Sequence, residues 1–192
     1  MQSEKLQLKL KIMKNNKKLK ARIYIDGANM FYAQIALGWF IDFKKLKGLF
    51  EKEWDVIGIR YYTGVKIDDK KIASFLRYLD NIGIEPVTKP LKQIKNKGQV
   101  LFKSNFDVEM TMDMLLERPS YDLCILLSGD SDFHALVKKI RDFGKQVMVY
   151  STRRMISWEL KLAVNKYFFL EDLKNEIKKT SARRRSRVKL PK

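Results

Sequence analysis

The chain has 192 residues, 45% of them hydrophobic, and a formal net charge of +18. That length suits one domain with a sizeable core, and no apolar run approaches the ~20 residues of a membrane span. Cys124 is the single cysteine and the start Met1-Gln2-Ser3-Glu4-Lys5 lacks a signal-peptide apolar stretch, which excludes intrachain disulfides and cysteine zinc clusters and points to a reducing cytoplasm.

In chain order, residues 1–20 form a basic N-terminal arm with seven lysines and one acid. Residues 22–26 read as a first strand, and residues 29–37 as a helix with Asn29 as its N-cap. Asp42 caps a second helix that runs to about Lys52. Val56 to Tyr62 alternates and is rich in β-formers, so it reads as a second strand. Asp68 or Asp69 opens a helix to about Asn81, stopped near Gly83. Ile84 to Thr88 reads as a short strand that Pro86 confines to an edge.

Residues 89–105 are basic, with a turn at Asn96-Lys97-Gly98, and read as a loop or a hairpin. Asp107 through Leu116 is helical, with Val108, Met112 and Leu115 on one side. Leu123 to Leu127 is uniformly apolar, the pattern of a strand buried on both faces. A helix from Asp132 to Phe143 ends at Gly144. Val147 to Tyr150 is a further strand. A helix near 156–164 and a short strand at 167–169 complete a domain spanning 21–173.

Residues 174–192 are a basic tail with nine cations and one acid. Its Arg183-Arg184-Arg185 run suits the phosphates of a polyanion, through contacts that salt weakens. A solubilising terminus is the plainer alternative. Alternating strands and helices imply an α/β fold: a Rossmann-like three-layer αβα arrangement with a mainly parallel sheet.

The chemistry concentrates in acids at element ends. Asp26 follows one strand, Asp130 and Asp132 follow another, and Asp107 begins a helix. Ligands of open α/β sheets bind at the C-terminal ends of the strands. Carboxylates gathered there repel one another unless a cation pairs them. All-oxygen ligation suits Mg²⁺ or Mn²⁺ rather than zinc, and such ions can clamp a phosphodiester, singly or as a pair. Asp113 lies six residues after Asp107, ~240° away around a regular helix, so the two do not share one spot.

Each residue also has an ordinary reading. Asp26 and Asp132 could be turn or N-cap acids. Asn29 could orient a phosphate or a metal-bound water, or only cap its helix. Ser128 can donate to a carboxylate or a phosphate. Gly27 and Gly129 allow tight backbone or make simple turns. Lys103 could meet phosphate or stay solvated. Phe31, Tyr32, Trp39, Phe40, Tyr61 and Tyr62 could stack on bases, although core packing is the commoner fate of such aromatics. His134, the one histidine, reads as a helix residue beside the site. No P-loop or Gly-x-Ser-x-Gly sequence is present.

These residues resemble the NYN domain family, the PIN-like nuclease fold that includes the LabA-like proteins. The matching segments are Ile23 to Asn29, Lys103 with Phe106-Asp107-Val108 and Asp113, and Leu127 to Phe133. Ser157-Trp158-Glu159-Leu160, Ala163 and Phe168 look like the family's closing pattern. The resemblance implies a PIN-like parallel sheet and a Mg²⁺- or Mn²⁺-dependent ribonuclease. Asp26, Asp107, Asp130 and Asp132 match its acidic metal-binding positions, with Asn29 and Asp113 nearby. Two departures stand out. Ser104-Asn105-Phe106 replaces a shorter, Gly-containing link, and Asn165 stands where the family often has aspartate. The reading is an endoribonuclease whose carboxylates hold the metal and whose Ser128, Lys103 and Arg183 to Arg185 meet RNA. The alternative is a non-catalytic RNA-binding or regulatory module that keeps the acids. Its partners would be RNA and no membrane, with a homodimer left open.

Overall fold

A computed structural model describes residues 18–66, 68–96 and 99–180, with backbone alone at 93–96 and 99–103. Six strands form one sheet in which every neighbouring pair is parallel. In chain order the elements are β1 (Lys20–Asp26), α1 (Gly27–Leu37), α2 (Phe43–Glu53), β2 (Asp55–Val65), α3 (Lys70–Asn81) and β3 (Glu85–Pro90). A two-stranded antiparallel hairpin follows, β4 (Lys92–Asn96) and β5 (Gln99–Lys103). Then come α4 (Asp107–Leu116), β6 (Leu123–Leu127), α5 (His134–Asp142), β7 (Gln146–Ser151), α6 (Trp158–Ala163), β8 (Lys166–Phe169) and α7 (Lys174–Ile177). The sheet order is β3-β2-β1-β6-β7-β8.

That order makes the chain wind outward in one direction from β1 and in the other from β6. The two central strands, paired with Ile25 opposite Leu127, therefore flank the point where the winding reverses. Crevices open at such points because the loops leaving the two strands diverge to opposite faces.

Burial on both faces explains the uniformly apolar β6. Leu123, Ile125 and Leu127 join one core with Ile23, Ile25, Met30, Ala33, Leu46 and Phe50. Cys124 and Leu126 join the other with Tyr24, Met110, Met114, Val137 and Ile140. Burial also pushes the Cys124 thiol well up, so it behaves as a small apolar side chain. Pro86 lies on β3, the edge strand, as its missing N–H requires. Asp42 and Asp69 cap α2 and α3. Gly38, Gly83 and Gly144 adopt positive φ where helices end.

The basic segment after β3, for which the sequence allows a loop or a hairpin, is a hairpin in which β4 and β5 pair antiparallel. Other details differ from the sequence reading. On α4 the buried residues are Met110 and Met114, while Val108 and Met112 face solvent. Methionine and valine score alike as apolar, so pattern alone does not tell which stripe meets the sheet. The segment after β6 is a 3₁₀ turn, Ser131–Phe133, and the α-helix starts only at His134. The fold also continues past residue 173: Ile177 is fully buried, and Lys178 bridges to Ile41. Among the described residues no helix is long and apolar enough to cross a membrane.

Candidate active site

The loops leaving β1 and β6 are clasped together by hydrogen bonds. Asp26 ends β1, and its Oδ1 accepts from the Asn29 backbone N–H at 3.0 Å, so Asp26 rather than Asn29 is the N-cap of α1. Its other oxygen, Oδ2, accepts from the Ser128 hydroxyl at 3.1 Å. The Asn29 side-chain oxygen is thereby free to reach across and accept from the Gly129 N–H at 3.1 Å. Asn29 ties the two central loops together, a role that the sequence could not separate from capping.

A parallel exchange of roles occurs after β6. Asp130 Oδ1 accepts from the Asp132 N–H at 3.1 Å, so Asp130 caps the 3₁₀ turn and Asp132 does not cap a helix. Ser128 Oγ also accepts from the Asp130 N–H at 3.3 Å. The Ser157 N–H donates to the Gly129 carbonyl at 2.9 Å and draws in the loop after β7.

Neither Gly27 nor Gly129 has positive φ. Both are needed for close approach instead. A methyl on Gly27 would lie 2.5 Å from the Tyr62 carbonyl and 2.7 Å from the Tyr61 ring. One on Gly129 would meet the Met155 carbonyl and the Ser151 hydroxyl. The Asp-Gly and Ser-Gly-Asp sequences therefore hold adjacent strand ends at backbone contact.

These loops surround a cleft of about 310 Å³ lined by Asp26, Asn29, Asp107, Asp130 and Asp132, with Tyr32, Tyr62, Ser104, Phe106 and Met155 among its other walls. Asp107 reaches it from the first turn of α4, where its own N–H donates to the Asn105 side chain at 2.9 Å. No lysine or arginine lines the cleft among the described residues. Burial pushes the Asp26 carboxyl above the usual carboxylate range. The Asn29 N–H and the Ser128 hydroxyl oppose that rise, and the charges of Asp107 and Asp130 add to it. Among the described residues no three acids, histidines or cysteines form a ready-made metal cage. The donor set itself, oxygen-only and mutually repulsive, fits a hard cation that keeps some of its waters.

Asp113 stands apart. It accepts from the Tyr62 hydroxyl at 2.7 Å and pairs with Arg60 at 2.9 Å. Arg60 also pairs with Glu117 at 2.7 Å, and Glu117 accepts from the Tyr24 hydroxyl at 2.7 Å and from Arg22 at 2.9 Å. Burial chiefly raises both phenols, which keeps them neutral donors. This half-buried network joins β1, β2 and α4 behind the cleft. Its members are scattered along the chain, so the sequence offered no signal for it.

A hollow of about 400 Å³ opens at the opposite end of the sheet, between the start of β7 and Asn165. It contains one acid, Asp142, beside Lys138 and Arg141, and lacks an acid cluster. Asn165 accepts there from the Val147 N–H at 2.8 Å, so it lies at the strand starts, away from the acids. His134 does not line the acid cleft. The Lys103 side chain and Arg183, Arg184 and Arg185 lie outside the described residues.

The NYN domain matches residues 20–171. The chain belongs to the NYN domain family. A further relative is the low amplitude and bright protein LabA of Synechococcus elongatus, 35% identical over 163 residues, covering 82% of this chain and 87% of that one. A crystal structure of a protein of unknown function from Vibrio parahaemolyticus, VPA0982, superimposes with a TM-score of 0.74 at 26% identity. That match covers 86% of this chain and 99% of the other. NYN domains belong to the PIN-like nuclease superfamily, and the six-stranded parallel sheet flanked by helices has that architecture. The acid cleft lies within the matched NYN region, whereas Arg183 to Arg185 fall beyond it.

Proposed function

We propose that this NYN domain is a metal-dependent endoribonuclease. The observation that carries the reading is that Asp26, Asp107, Asp130 and Asp132, from three separate segments, line one cleft at the switch point of the sheet. Asp26, Asp107 and Asp130 would hold Mg²⁺ or Mn²⁺, with Asp132 at the exposed lip. When bound, such an ion supplies Lewis-acid polarisation of a phosphate and acidification of a water. RNA as substrate follows from the family.

The chain's own residues do the rest. Ser128 and the Asn29 N–H hold the Asp26 carboxylate in one orientation. Asn29 keeps the β1 and β6 loops at fixed separation, so the acids stay preorganised. The basic arms, Arg183 to Arg185 among them, supply the phosphate contacts that an all-acid cleft lacks.

The test compares wild type with Asp130→Asn on end-labelled single-stranded RNA in Mn²⁺. Asparagine keeps the oxygen that caps the 3₁₀ turn and removes the charge. The expected result is a rate at least roughly 100-fold lower. Equal cleavage by the two proteins, or none by wild type in either metal, refutes the reading. If RNA is bound but never cut, the domain is a binding module.

A further inference from the structure

We infer that the solvent face of α1, next to the acid cleft, is a stacking platform for unpaired bases, so that the site takes single-stranded RNA in preference to duplex. The inference rests on the proposed RNA-cleaving function. It begins with composition. Charged residues make up 32% of the chain, yet Gly27–Leu37 contains none. An amphipathic surface helix carries charge on its outer side. Here the buried side is Met30, Ala33 and Gln34, and the outer side is Ala28, Phe31, Tyr32 and Ile35.

Phe31 is 51% exposed and Tyr32 is 63% exposed. Their rings meet edge to face, with centroids 5.6 Å apart and planes at 72°. Tyr32 lines the same cleft as Asp26, Asp107 and Asp130. Of the other aromatics that the sequence offered for stacking, Trp39, Tyr61 and Tyr62 are 6% exposed or less, and Phe40, 59% exposed, lies beyond the end of α1 and does not line the cleft. Two large rings left in water gain by being covered.

Charge decides what covers them. Most of the chain's +18 sits in the two basic arms, which draw a polyanion rather than a basic partner toward this domain. A phosphodiester entering the cleft brings its flanking nucleotides past Tyr32. An aromatic face accepts any base, and α1 offers no carboxylate to repel the backbone. Bases already paired and stacked in a duplex cannot reach the rings.

The experiment uses the full chain carrying Asp130→Asn, so that RNA survives, in Mg²⁺. The probe is a single-stranded oligoribonucleotide containing 2-aminopurine, alongside the same strand annealed to its complement. The single strand is expected to bind with quenched fluorescence. Adding Tyr32→Ala or Phe31→Ala should weaken its binding roughly 5- to 100-fold and relieve the quench. Tyr32→Phe should restore what Tyr32→Ala loses. Leu162→Ala, an equally exposed residue on α6, should change nothing. Duplex affinity should be unaffected throughout.

Unchanged single-strand affinity in Tyr32→Ala overturns the platform. Equal losses for single strand and duplex overturn it too, because they show a damaged surface rather than lost stacking. So does a wild-type dimer, seen by sedimentation, that Tyr32→Ala dissociates, because the face is then a self-interface. The nuclease reading is judged separately by the cleavage assay. If the Tyr32 effects appear and wild type cuts nothing, the platform stands on a binding module. If no RNA is bound, both fall.

Discussion

Replacing Asp26 by asparagine separates the carboxylate's charge from its structural role. Asparagine keeps an oxygen for the Asn29 N–H, now bonded at 3.0 Å, and its amide can donate to the Ser128 hydroxyl, now at 3.1 Å from Oδ2. Both hydrogen bonds survive in some form, so the ~1 kcal/mol cost of losing an N-cap is avoided. What disappears is a half-buried negative charge facing Asp107 and Asp130. Burial raises the carboxyl's pKa in the folded state. Below the unfolded value, near 4, Asp26 is protonated in both states and carries no penalty. As pH rises through the raised folded value, wild type loses stability and Asp26→Asn does not. Without metal, the variant should therefore melt at or above the wild-type temperature at pH 7, and the difference should vanish near pH 3.

Metal reverses the order. At a Mn²⁺ concentration of 100 Kd, a bound ion stabilises the native state by about 2.7 kcal/mol. For a chain of this size that is a Tm rise of roughly 5–10 °C. Asp26→Asn should rise by less than about 2 °C. Differential scanning fluorimetry with Mn²⁺ titrations at pH 3 to 8 provides the measurement. A metal-free variant destabilised by more than about 1 kcal/mol at pH 7 refutes the charge argument. Equal Mn²⁺ shifts in both proteins refute Asp26 as a ligand.

Three further substitutions test the scaffold. Glu117→Ala removes the carboxylate that Arg22, Arg60 and the Tyr24 hydroxyl share. The side chains of Arg22, Arg60 and Glu117 are only 17–19% exposed, and of the two cations Arg60 keeps a further partner, Asp113. Breaking this network should cost about 3 kcal/mol, a loss that urea denaturation would read directly, and a loss under about 1 kcal/mol would show that water already screens the network. Gly27→Ala drives a methyl against the Tyr62 carbonyl, which is backbone and cannot swing away. It should cost about 1–3 kcal/mol and slow RNA cleavage by displacing Asp26. Gly48→Ala, with nothing within 4 Å of the new methyl on α2, should instead stabilise by about 0.5–1 kcal/mol. If the two glycine variants behave alike, close approach is not the reason for Gly27.

Much of the fold was legible because local chemistry states it. The apolar run of β6, the caps Asp42 and Asp69, the terminating Gly83 and Gly144, and edge-strand Pro86 each follow from rules acting within a few residues. The acids were legible as strand-end and helix-start residues, and together they line one cleft. Which residue caps and which faces the cleft was not legible, because Asp26 and Asn29, or Asp130 and Asp132, offer equivalent acceptors. The structure chooses Asp26 and Asp130 as caps and sends Asn29 across to Gly129.

The sequence by itself determined the alternation of strands and helices, the placement of acids at their ends and the concentration of charge in the two arms. All of these depend on neighbours close along the chain. Only the tertiary structure decided that β1 and β6 lie side by side, 102 residues apart at the Asp26–Ser128 bond, and that the winding reverses between them. It also decided that Asp113 belongs to the arginine network and that Phe31 and Tyr32 remain outside the core. The physical reason is that strand order and side-chain partnership depend on packing between segments distant in sequence, and a local pattern of residues carries no record of which surface a face will meet.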